Sequence, residues 1–421
     1  MSRQAFLERL NHILNLFTRG STPLGQNVSS RNVSSRTFGM DQASITVTGE
    51  NVRMLDSAVE ELLDMMPAVK DTLSRKAFLD MLIATIREKK ISSSSFIQSE
   101  SEAFQQHILA IPLQKFRVVR RIYGIVLSND DDSIQIGDFT IYSGRRIKEM
   151  SPNQRFLAAT WQLRDVEEPL IECAVEARDV DKAVELADTL FYRLELMIRL
   201  LIGRRTTRFE VGILNYVGPQ MRNRLILSDS GNVVSEGSSW RGALERIPIA
   251  DPFFRQPSPP FARLLRLISR RNNQLEMHVV RCAEWTAQAM GDPNAASAFV
   301  KAATALEVLF SANEKGVITP SIMAQIAESC AFLLGDTPAV AVEIERQVRR
   351  LYGVRSAVVH SGKDSVAEDD LNALIHICRT IIMVLLSDEE FAETDTIAKL
   401  ADYFKRKKYS FLEAATPESG S

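Results

Sequence analysis

An arginine stands where the helical repeat of its segment asks for an apolar side chain. Counting back in helical steps from Arg355, positions Tyr352, Leu351, Val348 and Ile344 form one apolar stripe, and Arg355 continues it. A guanidinium in such a seam must be paired or put to use, because it gives up water that an oily neighbour does not replace. Five residues on, His360 precedes Ser361-Gly362, which reads as a helix exit, so the chain is expected to turn the imidazole back toward the Arg355 end. Histidine exchanges protons near neutral pH, and arginine is the fixed cation best matched to a phosphate. Together they point to phosphodiester chemistry without a metal. His360 would move a proton as general base or acid, Arg355 would hold the charge that develops on phosphorus, and Ser356 would orient phosphate or imidazole by a hydrogen bond.

Composition sets the frame. The chain has 421 residues, 45% hydrophobic and 25% charged, which is ordinary globular usage at a length that favours two or three domains. A formal charge of −2 argues against a uniformly basic nucleic-acid coat, so any RNA or DNA site must be a local patch. Cys173, Cys282, Cys330 and Cys378 are widely spaced with no Cys-x-x-Cys pair, which fits a reducing, cytoplasmic setting better than a disulfide framework or a zinc site. The first residues carry charge before an apolar core of signal length appears. Leu190 to Ile202 is the most apolar helical run, but Arg193, Glu195 and Arg199 interrupt it, and it reads as a buried helix with no membrane expected.

The elements that must position the Arg355 segment follow from periodicity and punctuation. Residues 1–112 read as a helical region, with Phe6, Leu10, Ile13, Leu14 and Phe17 on one stripe and Leu55, Val59, Leu62, Leu63 and Met66 on another. The polar stretch Gly20 to Arg36, with its short duplication Asn27-Val28-Ser29-Ser30-Arg31 and Asn32-Val33-Ser34-Ser35-Arg36, reads as a loop. Residues 113–250 read as an α+β domain. Its strands are expected over Phe116 to Leu127 and near Ile134 to Tyr142, joined at Asn129-Asp130-Asp131-Asp132 as a hairpin, then over Leu170 to Val175, Phe209 to Val217 and Leu225 to Leu227. A long helix spans Asp179 to Gly203. Five prolines between Pro248 and Pro260 mark a boundary, and residues 251–421 read as an all-α antiparallel bundle. Phe261 to Met290 is amphipathic; Asp292-Pro293, Thr319-Pro320 and Thr337-Pro338 read as helix starts; and Ser365-Val366-Ala367-Glu368 has a capping-box pattern. The fold class is thus α+β and multidomain.

Within that bundle, Ala302-Ala303-Thr304-Ala305-Leu306-Glu307-Val308-Leu309-Phe310 is similar to the Ala-Leu-Glu-Leu-Leu helix of ApeA-like proteins of the HEPN superfamily. The run Leu351-Tyr352-Gly353-Val354-Arg355-Ser356-Ala357-Val358-Val359-His360-Ser361-Gly362 resembles their Tyr-x-x-Arg-Ser-x-x-x-His-x-Gly segment. The likeness covers roughly residues 260 to 388. It implies a HEPN-like bundle, a homodimer whose Arg-His sites face a shared cleft, and a ribonuclease of prokaryotic defence or toxin type that acts on RNA, of which tRNA is one candidate, with no cofactor. Arg355 and His360, with four residues between them, fall within the spacing of the family's ribonucleases, many of which carry Asn, Asp or His where this chain has Ser356. Residues 1–250 would then sense or restrain, through a regulatory ligand or a phage trigger.

The residues themselves admit other roles. Glu307 flanks the stripe Ala303, Leu306 and Phe310, so it is placed either to fix the fork of Arg355 for catalysis or to form a buried ion pair that sets helix register, with His360 capping the helix end. Tyr352 fits core packing as well as a supporting role. Lys363 is either a solvated loop cation or a phosphate contact. Lys405-Arg406-Lys407-Lys408, next to Tyr403, Phe404 and Tyr409, fits single-stranded RNA or a solvated helix end. His12, His107, His278 and His376 have no partner at metal-ligand spacing and read as surface or packing histidines. Gly231, Gly237 and Gly242 make no phosphate loop. A non-catalytic dimerisation or partner-binding module with a ligand-sensing N-terminal half is the rival reading, and a DNA-binding regulator is a third, weaker one for want of a basic recognition helix.

Overall fold

The computed structural model describes residues 3–19, 35–38, 45–92, 94–127, 133–143, 169–202, 210–215, 220–228, 233–241, 245–248, 251–269, 272–310, 322–362 and 364–415. The chain is a mixed α+β fold, predominantly helical, with small sheets. It divides into two compact units: Met1–Val118 with Ala174–Asp188, and Val119–Cys173 with Thr189–Ser421.

In the first unit α1 (Arg3–Leu16), α2 (Glu50–Asp64), α3 (Pro67–Lys70), α4 (Arg75–Ser92) and α5 (Gln98–Leu109) surround one core. Both stripes read from the sequence, Phe6 to Phe17 and Leu55 to Met66, are buried there. A three-stranded antiparallel sheet joins them: β1 (Thr18–Arg19), β2 (Ser35–Phe38) and β3 (Ile45–Thr48), with β3 central. Of the polar stretch from Gly20, residues 20–34 lie outside the described residues, while Ser35 and Arg36 begin β2.

The strands that follow are β4 (Gln114–Arg121), β5 (Ile125–Val126), β6 (Ser133–Ile136), β7 (Phe139–Ser143) and β8 (Pro169–Ala177). They depart from the expected hairpin. The turn cluster at Asn129 lies outside the described residues, and β4 lies next to β8 in a sheet of order β4-β8-β7-β6. The run from Ile134 to Tyr142 is itself a hairpin, turned at Gly137, whose φ of 58° suits glycine far better than a β-branched residue. Leu170, Ile171 and Cys173 are buried, as a strand flanked on both edges requires.

The long helix α6 (Val180–Ile202) forms as read. Of the strand expected over Phe209 to Val217, the described part, 210–215, holds only a bridge between Tyr123 and Gly212. The Glu195 carboxylate, 1% exposed, takes the backbone N–H groups of Ile213, Leu214 and Asn215 at 3.2, 3.1 and 3.4 Å. A buried carboxylate needs such donors, and they are lost to a sheet ladder. Further on, β9 (Gln220–Leu227) pairs with β10 (Val233–Arg241), and β11 (Ile247–Pro248) pairs with β5 in parallel.

Beyond the prolines the described chain is helical: α7 (Pro252–Arg255), α8 (Pro259–Ser269), α9 (Gln274–Gly291), α10 (Ala295–Phe310), α11 (Ile322–Leu334), α12 (Pro338–Ser361), α13 (Glu368–Ser387), a 3-10 turn at Glu389–Phe391, and α14 (Ile397–Ala415). The amphipathic run from Phe261 is broken in two, because Asn273 caps α9 in a reciprocal box with Glu276. Thr337 caps α12 through Val340, as its Thr-Pro pair implies. Asp292 instead closes α9, and Asn294 accepts the N–H of Ser297 at the start of α10. Thr319-Pro320 lies outside the described residues. The box expected at Ser365 is absent: α13 starts after Ala367, which has no capping side chain.

Helix α13 packs against α8, α9, α10, α11 and α12. That central position explains a mean hydropathy of 1.5 in α13, and among the described helices of 18 or more residues it, rather than the helix holding Leu190 to Ile202, is the one apolar enough by length and composition to match a membrane span. Gly335 lets α12 start against α11, since a Cβ there would meet Ala331 O and the Ala341 backbone at 2.7–2.8 Å.

Replacing Glu195 with Ala leaves three N–H groups without their acceptor, so the variant should lose about 3 kcal/mol of stability, read as a lowered urea midpoint. A loss no larger than that of a surface Glu→Ala change would mean that the 213–215 turn is held by something else.

Candidate functional site

Helix α12 lies on α10 and α11, and its rotation is set by Val348 and Leu351, both fully buried, with Tyr352 beside them. The Tyr352 hydroxyl donates to the carbonyl of Ala303 at 3.1 Å. One turn later Arg355 continues the seam, as the stripe demands, with its side chain 27% exposed. Its Nη2 lies 3.2 Å from Glu307 Oε1 and 3.5 Å from Oε2, and Glu307 sits one turn past Ala303 on α10. The Nε of Arg355 is buried and has no hydrogen-bond partner among the described residues. The guanidinium is therefore oriented by one carboxylate, with donor capacity in hand.

Ser356 and His360 are exposed. Four residues apart on a helix, they share a face about 40° wide, whereas Arg355 and His360 lie about 140° apart, with Cα atoms about 8–9 Å from each other. The imidazole is not turned back toward Arg355. The helix runs on through His360 and Ser361 and ends at Gly362, whose left-handed conformation (φ 64°, ψ 29°) lets its N–H close on Ala357 O. Gly362 is thus the exit, but it acts one residue too late to redirect the histidine. His360 stands in the last turn at the partially negative end of the helix, with no hydrogen-bond or ionic partner among the described residues. Lys363 lies outside the described residues.

Other cations on α12 are engaged: Arg349 with Glu345, and Arg350 with Asp370 at 2.7 Å. On α14 the four consecutive cations Lys405 to Lys408 radiate around the helix. Lys407 stands over the rings of Tyr403 and Phe411 at 5.9 and 5.8 Å. Lys408 is paired with Glu328, which raises its ammonium above the ordinary lysine value. Lys405 and Arg406 are exposed. Among the remaining histidines, His278 Nδ1 meets the carbonyl of Val308, a packing role. No group of three or more His, Cys, Asp or Glu side chains among the described residues is arranged to hold a metal ion.

No family model, no curated protein and no solved structure matches the chain.

Polar groups behind the site are held neutral. Burial, then the Glu307 carboxylate, raises the Tyr352 phenol above its ordinary 10.0. Burial likewise raises Cys282 and Cys330 well above 9.0 and pushes Cys378 up to about 12. In the unfolded chain these groups ionise at their ordinary values; in the folded chain they do not, so the stability they carry is complete below pH 9 and drains as pH rises through 9 and 10. The urea midpoint of the wild type should fall between about pH 9 and about pH 11. Tyr352→Phe should cost about 1 kcal/mol at neutral pH and flatten the fall above pH 10. An unchanged slope in that variant would place the phenol in a wetter setting than its burial indicates.

Proposed function

We propose that the chain is a metal-independent endoribonuclease of HEPN type, similar to ApeA-like proteins, working as a cytoplasmic homodimer in antiphage defence or toxicity. Its C-terminal helices would form the HEPN-like bundle, and residues 1–250 would sense or restrain. The observation that carries this reading is a cation kept in an apolar seam by Glu307 with a donor unspent, followed within two turns by an exposed, unengaged His360. Such a pair suits transfer of an RNA phosphodiester to its own 2′-hydroxyl. His360 takes the 2′-hydroxyl proton, the 2′-oxygen bonds to phosphorus, Arg355 holds the negative charge of the five-coordinate state, and the 5′-oxygen leaves and is protonated. The products are a 2′,3′-cyclic phosphate and a 5′-hydroxyl. Ser356, one helical turn before His360 on the same exposed face, steers the imidazole or the phosphate. Because Arg355 and His360 diverge around one helix, the shared cleft of a dimer is the natural place for them to converge on one phosphate.

A second reading has its own observation. The 3.2 Å contact of Arg355 with Glu307 is also what a register-setting ion pair looks like, in a bundle that only dimerises or docks a partner. Incubation with total RNA in EDTA separates the two. Wild type should cut, leaving 2′,3′-cyclic and 5′-hydroxyl ends, while Arg355→Ala and His360→Ala should lose at least about 100-fold in rate. Cutting that survives both changes moves the active site elsewhere, and no cutting by folded wild-type dimer favours the docking module.

A further inference from the structure

Away from Arg355, helices α10, α11 and α14 line a half-open cavity of about 270 Å³. Its apolar wall is Leu309 and Phe310 from α10, Phe332 from α11, and Leu400 and Phe404 from α14. Phe310 and Phe404 meet edge to face, ring centres 5.9 Å apart, so the wall is a formed aromatic surface. The polar lining is different in kind: Gln325, Glu328 and Ser329 on α11 face Lys405 and Lys408 on α14.

The charges there do not balance. Lys408 is tied to Glu328, another lining residue, which neutralises that pair. Lys405, almost one turn earlier on α14, lines the same cavity, is exposed, and has no charge partner among the described residues. One ammonium is thus surplus in a lining that also holds an aromatic wall, the amide of Gln325 and the hydroxyl of Ser329. Pockets that take drug-sized ligands run from roughly 300 to 1,000 Å³, so this space suits a smaller molecule.

We propose that this cavity is a binding site for a small organic anion: an aromatic or short hydrocarbon body against Phe310, Phe332 and Phe404, with its acid group on Lys405. A walled cavity with one surplus cation does not suit a nucleic-acid strand, which needs a cationic track. The site does not depend on the nuclease reading, since Arg355, Ser356, His360 and Glu307 are not among its lining residues.

Calorimetric titration of the full chain with 4-phenylbutyrate tests it, with 4-phenylbutanol as the neutral analogue. Saturable one-to-one binding of the acid is expected, with the alcohol about tenfold weaker. Lys405→Gln, an exposed change that leaves the fold intact, should weaken the acid about tenfold and leave the alcohol as it was. Ala401→Phe, which fills the cavity, should abolish both at an unchanged melting temperature. Lys407→Gln, whose ammonium lies over Tyr403 and Phe411, should bind like wild type. Absence of saturable binding by wild type up to about 10 mM, equal affinity for acid and alcohol, or full affinity in Lys405→Gln would each overturn the proposal.

Discussion

A guanidinium placed in an apolar seam has to be answered by a carboxylate, and in this chain that requirement ties α12 to α10. Val348 and Leu351 are wholly buried and leave no freedom in the rotation of α12, so Arg355 must point into the junction. Glu307 meets it at 3.2 Å, and one turn earlier on both helices Tyr352 reaches Ala303 at 3.1 Å. Two polar contacts one turn apart set the register of the pair, and the exposed face of Ser356 and His360 follows from it. The ion pair is a poor source of stability, because desolvating two charges offsets most of their attraction. Its retention in a seam where a methionine would pack asks for a reason other than folding energy.

The surroundings serve that register. α13 runs through the middle of the helical region and packs on five neighbours, which is why it is apolar along most of its length. Buried thiols at Cys282, Cys330 and Cys378, kept protonated by burial, belong to that core and offer no reactive thiolate. The result is a closely packed support behind α10 and α12, with the chemistry-bearing side chains at its edge.

Helices with a 3.6-residue apolar repeat were legible from the sequence: the stripes of α1, α2 and α13, the length of α6, the Thr337-Pro338 start of α12, and the place of Arg355 in its seam. What was not legible has a physical cause in each case. Gly137 splits a run of strand-forming residues, because a positive φ interrupts a pattern that propensity reads as continuous. Glu195 captures three N–H groups that β periodicity had assigned to a ladder, a contact between positions 18 to 20 residues apart that no local window contains. β10 is too rich in Ser and Gly to alternate, and it forms because β9 offers it a partner. The same holds at the site. Arg355 and Glu307 were placed by stripe positions on their two helices, whereas the facing of His360 depended on whether the helix stopped before or after it. The cavity lined by Lys405 draws on three helices spread over 100 residues, so nothing in the local run Lys405 to Lys408 signalled it.

The central claim is that Arg355 is held in the α10–α12 seam for use on a phosphate, and Arg355→Met tests it most directly, because methionine fills the seam without the charge. Urea unfolding and RNA cleavage would be measured on the same preparation. The account predicts a variant at least as stable as wild type, since an apolar side chain relieves the desolvation of the ion pair, and without detectable cleavage. A variant that is destabilised yet cleaves RNA at the wild-type rate would contradict it and leave Arg355 as a structural ion-pair partner of Glu307.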